Sequence, residues 1–100
     1  MQLTGKQARY LRGLAHHLKP VVLVGDSGVT AQVVEATREA LEHHELIKVK
    51  VNSANGRDDV AEAAERLVVA TGAVLAQVIG KTVVLYKARE KEPEIRLPRA

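Results

Sequence analysis

The sequence predicts an α/β fold of the two-layer α+β type, with elements in the order αβαβαββ and a mixed four-stranded sheet. Two observations predict it. Three stretches place apolar residues at helical spacing, and runs of apolar or alternating residues typical of strands separate and follow them. Because crossovers between parallel strands are right-handed, the second and third helices are expected on one face of the sheet. The packing of the first helix does not follow from the pattern.

Length and composition limit the class of protein. One hundred residues suit one small domain, predicted over residues 1–88 and followed by a polar tail at 89–100, in which residues 95–98 are a candidate edge segment. The absence of cysteine excludes disulfides and thiolate metal sites. No apolar run reaches the roughly 18 residues of a membrane span, and the start lacks the pattern of a signal peptide. We therefore expect a cytoplasmic protein with no membrane partner.

The first helix combines an apolar stripe with a set of cations. Thr4 and Gln7 have the spacing of a capping box, which predicts that the helix begins here. The stripe expected to face the core consists of Leu3, Gln7, Leu11, Leu14, Ala15 and Leu18. The cations avoid that stripe, and they are Lys6, Arg9, Arg12 and, after the helix, Lys19. The helix is therefore expected to pack with one side and to present positive charge on another.

A strand and a glycine loop follow the first helix. Pro20 ends the helix, and Val21–Val24 form an apolar run that predicts a strand buried on both faces. The loop Gly25-Asp26-Ser27-Gly28 has the form G-x-x-G, and Thr30 is a suitable N-cap for the next helix. A strand, a glycine loop and a helix N-terminus can together bind phosphate through backbone N–H groups. The same loop also fits a plain tight turn.

The middle of the chain pairs an acidic helix with a basic strand. The second helix is predicted over about residues 31–43, with a carboxylate-rich outer face. The strand at residues 46–51 alternates, so its odd-numbered apolar residues face the core while Lys48 and Lys50 lie on the opposite face. The two lysines are therefore candidates for ligand contact.

The last part of the chain supplies a third helix and a hairpin. A break at residues 53–56 precedes the helix, and Gly72 has the position of a C′ glycine after it. Strands are predicted at residues 74–79 and 82–87. The Gly80-Lys81 loop that joins them fits a type II′ turn.

Charge is segregated along the chain. The net charge of +3 arises from +3 over residues 1–30, −3 over 31–45, +2 over 46–56, −2 over 57–72 and +3 over 73–89. The first helix and the strands are thus basic, whereas the two later helices are acidic. This segregation predicts one cationic side, as in nucleic-acid binders, although a merely solvated surface can have the same composition.

The sequence offers little for catalysis or metal binding. The histidine pairs at 16–17 and 43–44 are adjacent in sequence, so neither pair can chelate one ion alone, and each lies at a predicted helix C-terminus, where capping is the simpler role. Ser27 and Ser53 have no assigned base, and the glycine loop lacks the lysine of a P-loop. We therefore expect no catalytic residue, metal, cofactor or small-molecule substrate.

Several separated blocks resemble one known family. The blocks are His16-His17-Leu18-Lys19-Pro20 with the glycine loop after it, His43–Lys50, and Gln77–Tyr86. Together they resemble the CRM-domain family, the YhbY-like RNA-binding proteins linked to ribosome maturation and intron splicing, over about residues 3–86. The resemblance implies an architecture similar to the C-terminal domain of bacterial translation initiation factor three. The sequence departs from the pattern at Asp26, because such loops often carry a basic residue between the glycines.

The resemblance implies a non-enzymatic protein that binds structured RNA, namely ribosomal RNA or precursors of the large ribosomal subunit during ribosome assembly. Since the chain has no Phe or Trp and only two tyrosines, Tyr10 and Tyr86, we expect contacts to phosphates and sugars rather than base stacking. The residues expected to contact RNA are Lys6, Arg9, Arg12, Lys19, Gly25, Asp26, Ser27, Gly28, Lys48, Lys50 and Lys81. The alternative is a protein–protein adaptor on ribosomal particles that uses its acidic helices and touches RNA incidentally.

Overall fold

Three helices and four strands are present in the computed structural model, which describes residues 2–52 and 57–99 of the chain. The elements are α1 (Gly5–Ala15), β1 (Pro20–Val24), α2 (Ala31–His44), β2 (Leu46–Val51), α3 (Arg57–Thr71), β3 (Val74–Ile79) and β4 (Thr82–Tyr86). The predicted order αβαβαββ is confirmed. The predicted break at residues 53–56 lies outside the described residues.

The sheet is mixed, as predicted, and its strand order is β1-β2-β4-β3. β1 and β2 are parallel, whereas β4 runs antiparallel to both of its neighbours. The main core lies between one face of this sheet and the helices α2 and α3. There Ile47, Val49 and Leu85 of the strands pack with Leu41 of α2 and Leu67 of α3. Right-handed crossovers explain why both helices cover the same face.

Helix α1 packs on the opposite face, a placement that the sequence pattern left open. Leu11 and Ala15 are buried there with Leu46, Val84 and Tyr86, which alternate along β2 and β4 with the residues of the main core. We call this side of the sheet the α1 face. Burial of a leucine such as Leu11 contributes about 1.5–3 kcal/mol, which fastens the helix to the sheet. The helix adds a partial third layer that the two-layer description does not include.

The predicted helix caps and the predicted hairpin turn are confirmed. Thr4 and Gln7 form the predicted capping box, in which each side chain bonds the other residue's backbone N–H. Thr30 is the N-cap of α2, its hydroxyl accepting from the Val33 N–H at 3.2 Å. Gly72 has φ of 76°, as a C′ glycine requires. Gly80 has φ of 56° whereas Lys81 is not in the left-handed region, as a type II′ turn requires.

Two predictions about burial are wrong. Strand β1 is not buried on both faces, because Val22 and Val24 lie in the main core while Val21 is 54% and Leu23 57% exposed. The reason is that α1 covers only part of its face and leaves the β1 side uncovered. Within the α1 stripe, Leu14 and Leu18 are likewise exposed.

In the part of the chain that the structure describes, none of the helices has the length and apolar character needed to span a membrane.

The C-terminal segment after β4 packs against α1. Ile95 and Leu97 contact the cluster around Leu11, and the Gln7 side-chain amide donates to the Pro98 carbonyl at 3.0 Å. The candidate edge segment at residues 95–98 therefore lies against the domain, although it forms no strand. It supports the helix that carries Arg9 and Arg12.

A buried carboxylate holds this segment in place. Glu45, at the C-cap of α2, is 1% exposed, and its Oε1 accepts from the N–H groups of Glu94 at 2.6 Å and Ile95 at 2.9 Å. Its Oε2 accepts from the Arg89 N–H at 2.9 Å. Burial by itself raises the pKa of this carboxyl, but the three backbone hydrogen bonds and the charge of Arg89 outweigh it and lower the pKa below its usual value. Sequence reasoning counted Glu45 only in the net charge of residues 31–45 and as part of the His43–Lys50 block.

Candidate nucleic-acid interface

The cations of α1 are exposed on the side of the helix that does not carry Leu11 and Ala15. Lys6, Arg9 and Arg12 all lie in solvent. This follows from the helical period, because residues opposite the buried stripe must point outward. The prediction that α1 packs with one side and presents positive charge on another is confirmed.

A groove forms where α1 crosses the sheet. Strand β2 carries Lys48 on the α1 face, beside Val84 of β4, and the helix lies over the buried end of the same face. The residues that line the groove are Arg9, Arg12, Gly13, Ala15, His16, His17, Lys48, Gln77 and Ile79. We call it the basic groove. It brings together three of the predicted contact residues, although they are up to 39 positions apart in the chain.

The arginines and lysines of this face are not used by the fold. Within residues 2–52 and 57–99, Arg9, Arg12, Lys48 and Lys50 form no ion pair. Other cations do hold the structure together. Their guanidinium or ammonium groups donate to carbonyls at helix C-termini: Arg38 to Ala70 at 2.8 Å, Lys87 to Thr71 at 2.8 Å, and Arg89 to His43 at 3.4 Å. Arg89 thus takes the capping role predicted for the His43-His44 pair.

The glycine loop lies at a different edge of the sheet. It follows the C-terminal end of β1, where the Asn52 N–H donates to the Val24 carbonyl. The β3–β4 turn reaches the same edge, since the Val51 N–H donates to the Lys81 carbonyl at 2.7 Å. The predicted residues Gly25, Asp26, Ser27, Gly28 and Lys81 are therefore grouped here. Lys50, one residue before Val51, lies between this edge and the basic groove.

Lys19 and Lys6 stand apart from the loop. Lys19 precedes β1 and is exposed at the strand end opposite the loop. Five residues of β-strand separate the two, a distance of about 16 Å. Lys6 is exposed in the first turn of α1. One RNA would have to extend along β1 to reach Lys19 and the loop together.

One side of the glycine loop is acidic. A pocket beside the loop is lined by Asp26 and Ser27 together with Asp59, Glu62 and Arg66 of α3. The Arg66 guanidinium is already paired with Glu62 at 2.7 Å. The Gly28 N–H donates to the Gly25 carbonyl at 3.0 Å, so the loop also has the hydrogen bond of a tight turn. A phosphate that approached from this side would meet carboxylates.

Sequence reasoning missed several residues of the groove. His16 and His17 were assigned to capping, yet both line the groove beside the arginines. Gln77 and Ile79 belong to β3, which is distant in sequence from α1. No periodicity signals such a meeting, because it depends on the strand order. No group of three or more metal-ligating side chains occurs in the part of the chain that the structure describes.

Comparison with known proteins identifies the family. The model of the CRS1/YhbY (CRM) domain matches residues 3–87. "Probable RNA-binding protein YqeI" of Bacillus subtilis is 48% identical over 98 residues, which cover 96% of this chain and 99% of that protein. An RNA-binding protein of Haemophilus influenzae is 46% identical over 97 residues, covering 97% of this chain and 96% of that protein. These names refer to RNA binding and not to catalysis, in agreement with the prediction that the chain is not an enzyme.

A solved structure has the same fold. The solution structure of the hypothetical protein SAV1595 from Staphylococcus aureus, a candidate RNA-binding protein, has a TM-score of 0.84 and 44% sequence identity. The match covers 97% of this chain and 100% of that one. The family match over nearly the whole length and relatives of this identity show that the chain belongs to the CRS1/YhbY (CRM) domain family.

Proposed function

We propose that this protein binds structured RNA through the basic groove and the surface beside it. The observation that supports the proposal is the set of cations Arg9, Arg12 and Lys48, which line one groove without an ion-pair partner among the described residues. Positive charge that the fold does not use is available to neutralise phosphates. The names of the relatives support RNA as the class of ligand.

We propose that the ligand is ribosomal RNA or a precursor of the large subunit during ribosome assembly in the cytoplasm. The lysines and arginines of α1 and β2 would hold phosphates. Lys19 and Lys81, which lie at opposite ends of the sheet, would extend the contact in both directions. The Gly25–Gly28 loop would add backbone donors. Contacts of this kind recognise the shape of a folded RNA rather than its sequence.

Binding is expected to depend strongly on salt, since it releases counterions from phosphates. With about four to six phosphates engaged, the logarithm of the association constant should fall against the logarithm of salt concentration with a slope of roughly −3 to −5. Titration of the intact protein against a folded ribosomal RNA fragment and an unstructured oligomer of equal length measures both quantities. The folded fragment should bind more tightly.

Two outcomes of that titration would contradict the proposal, namely a flat salt response and a preference for the unstructured oligomer. Ribonuclease treatment of a lysate tests the adaptor alternative separately. Partners that stay with the protein after the RNA is destroyed would favour the adaptor, whereas partners that are lost would favour RNA binding.

The carboxylate of Asp26 is expected to weaken the contact of the glycine loop. If the loop touches the RNA backbone, Asp26→Asn should tighten binding by about 0.5–1 kcal/mol, because two unit charges about 4 Å apart interact by about 1 kcal/mol in water. Asp26→Lys should tighten it further and steepen the salt slope by about one. Titrations at two salt concentrations, with thermal melting of each variant, measure this effect.

Glu39→Lys is the matched control, since it makes the same charge change at an exposed position of α2. It should tighten binding less than Asp26→Lys. If Asp26→Lys stays folded and binds no better than the parent, the Gly25–Gly28 loop is only a turn.

A further inference from the structure

Uncovered aliphatic side chains lie at both edges of the sheet, next to the basic groove. Val21 and Leu23 of β1 and Ile79 of β3 are each more than half exposed, at 54%, 57% and 52%. Large aliphatic side chains in strands usually face a core. Here α1 covers the end of its face around Leu46 and Tyr86 and leaves these residues in solvent.

The register of the sheet places Leu23 and Ile79 in one row with a lysine. Leu23 is paired with Lys50, Lys50 with Thr82, and Thr82 with Ile79, so one row of side chains crosses all four strands. At a strand spacing of about 4.8 Å the row is about 14 Å wide. Its order is aliphatic, cationic, hydroxyl, aliphatic. Ile79 also lines the basic groove, so the row and the groove form one continuous surface.

The charges of this surface decide what can cover it. Lys48 and Lys50 lie on it and Arg9 and Arg12 border it, while none of the side chains that line the groove or form the row is acidic. A second copy of the chain docked face to face would place lysines against lysines. An unpaired nucleotide complements both kinds of side chain on this surface. Its base has a flat apolar face that suits the aliphatic residues, and its phosphate is an anion that suits the lysines.

We propose that Val21, Leu23 and Ile79 form a platform on which unpaired bases of the bound RNA pack, while Lys48 and Lys50 hold the neighbouring phosphates. This inference rests on the proposed RNA binding and specifies which RNA is preferred. No Phe, Trp or Tyr lies among the side chains that line the groove or form the row, so aromatic stacking there is limited to the imidazoles of His16 and His17. Aliphatic side chains take that place, so a stem that contains unpaired nucleotides should bind better than a fully paired stem.

The double variant Val21→Thr/Leu23→Thr tests the platform. Threonine is β-branched and suits a strand; it replaces one methyl group of Val21 with a hydroxyl and replaces Leu23 with a shorter, more polar side chain, and both positions are exposed, so the fold should be retained. The intact protein is titrated against a fully paired RNA stem and against the same stem with a three-nucleotide bulge, at three salt concentrations. Affinity for the bulged RNA should fall about three- to tenfold with an unchanged salt slope, since apolar contact and not charge is lost. Affinity for the paired stem should not change.

The control is Val69→Thr, at a residue of α3 that is 79% exposed and lies on the other side of the molecule. It should bind both RNAs as the parent does. Ile79→Thr, at the far end of the row, is a second test and should weaken binding of the bulged RNA in the same direction, should the double variant melt early.

Equal binding of the bulged RNA by the parent and the folded variants would overturn the platform while leaving RNA binding intact. An equal loss for both RNAs would also overturn it, because the effect would then not depend on unpaired bases. A parent that binds neither RNA would refute the proposed function itself. Sedimentation of the parent and the double variant tests whether a second copy of the chain occupies this face instead. A dimer of the parent that the double variant abolishes would show that it does, and would overturn the proposal.

Discussion

Replacement of Glu45 by glutamine should lower the free energy of unfolding by about 2–4 kcal/mol. The carboxylate is 1% exposed and accepts three backbone hydrogen bonds, from Arg89, Glu94 and Ile95. A glutamine side chain has the same size but only one acceptor oxygen, so its NH₂ group would face a backbone donor. Urea denaturation of the parent and the variant measures the change.

Glu39→Gln is the matched control, since it makes the same substitution at an exposed position of α2, the helix for which Glu45 is the C-cap. It should change the unfolding free energy by no more than about 0.5 kcal/mol. If Glu45→Gln behaves like this control, the carboxylate does not hold the C-terminal segment.

The free energies of unfolding of the parent and of Glu45→Gln should also differ in their dependence on pH. The pKa of Glu45 is lowered in the folded protein relative to the unfolded chain, whose value is about 4.3. A group of this kind contributes stability that is fully present above the unfolded pKa and is lost as the pH falls through the folded pKa. The parent should therefore lose stability below about pH 4.3, and the advantage of the parent over Glu45→Gln should shrink in that window.

The double variant Arg9→Gln/Arg12→Gln should bind structured RNA about 30-fold more weakly at moderate salt. Each arginine is expected to contact one phosphate, an interaction of about 1 kcal/mol in water at about 4 Å, and the salt slope should become shallower by about two. Glutamine and arginine have similar helix propensities and both positions are exposed, so the melting temperature should change little. Titration at several salt concentrations, together with thermal melting, measures both effects.

Arg66→Gln/Lys91→Gln removes the same total charge at exposed positions outside the basic groove. It should weaken binding several-fold less than the double variant in α1. Affinity of the Arg9/Arg12 variant within twofold of the parent would show that α1 is not the cationic surface that RNA uses.

The sequence by itself determined the features that depend on neighbours in the chain. The capping box at Thr4, the N-cap at Thr30 and the C′ glycine at Gly72 require residues only a few positions apart, so the ends of the helices could be located. The alternation of β2 likewise placed Lys48 and Lys50 away from the main core. The order of the elements followed, as did the placement of α2 and α3 on one face.

Only the tertiary structure decided which distant residues meet. The place of α1 depends on a cluster formed by Leu11, Leu46 and Tyr86, and no local pattern encodes such a contact. Because α1 covers only part of the α1 face of the sheet, Leu23 is exposed, although the apolar run Val21–Val24 is typical of a buried strand. Glu45 could be understood only once Arg89 and the C-terminal segment were seen to donate to it. Local rules fix the period and the caps of an element, whereas the coverage of each face depends on how much apolar surface the other elements bring to it.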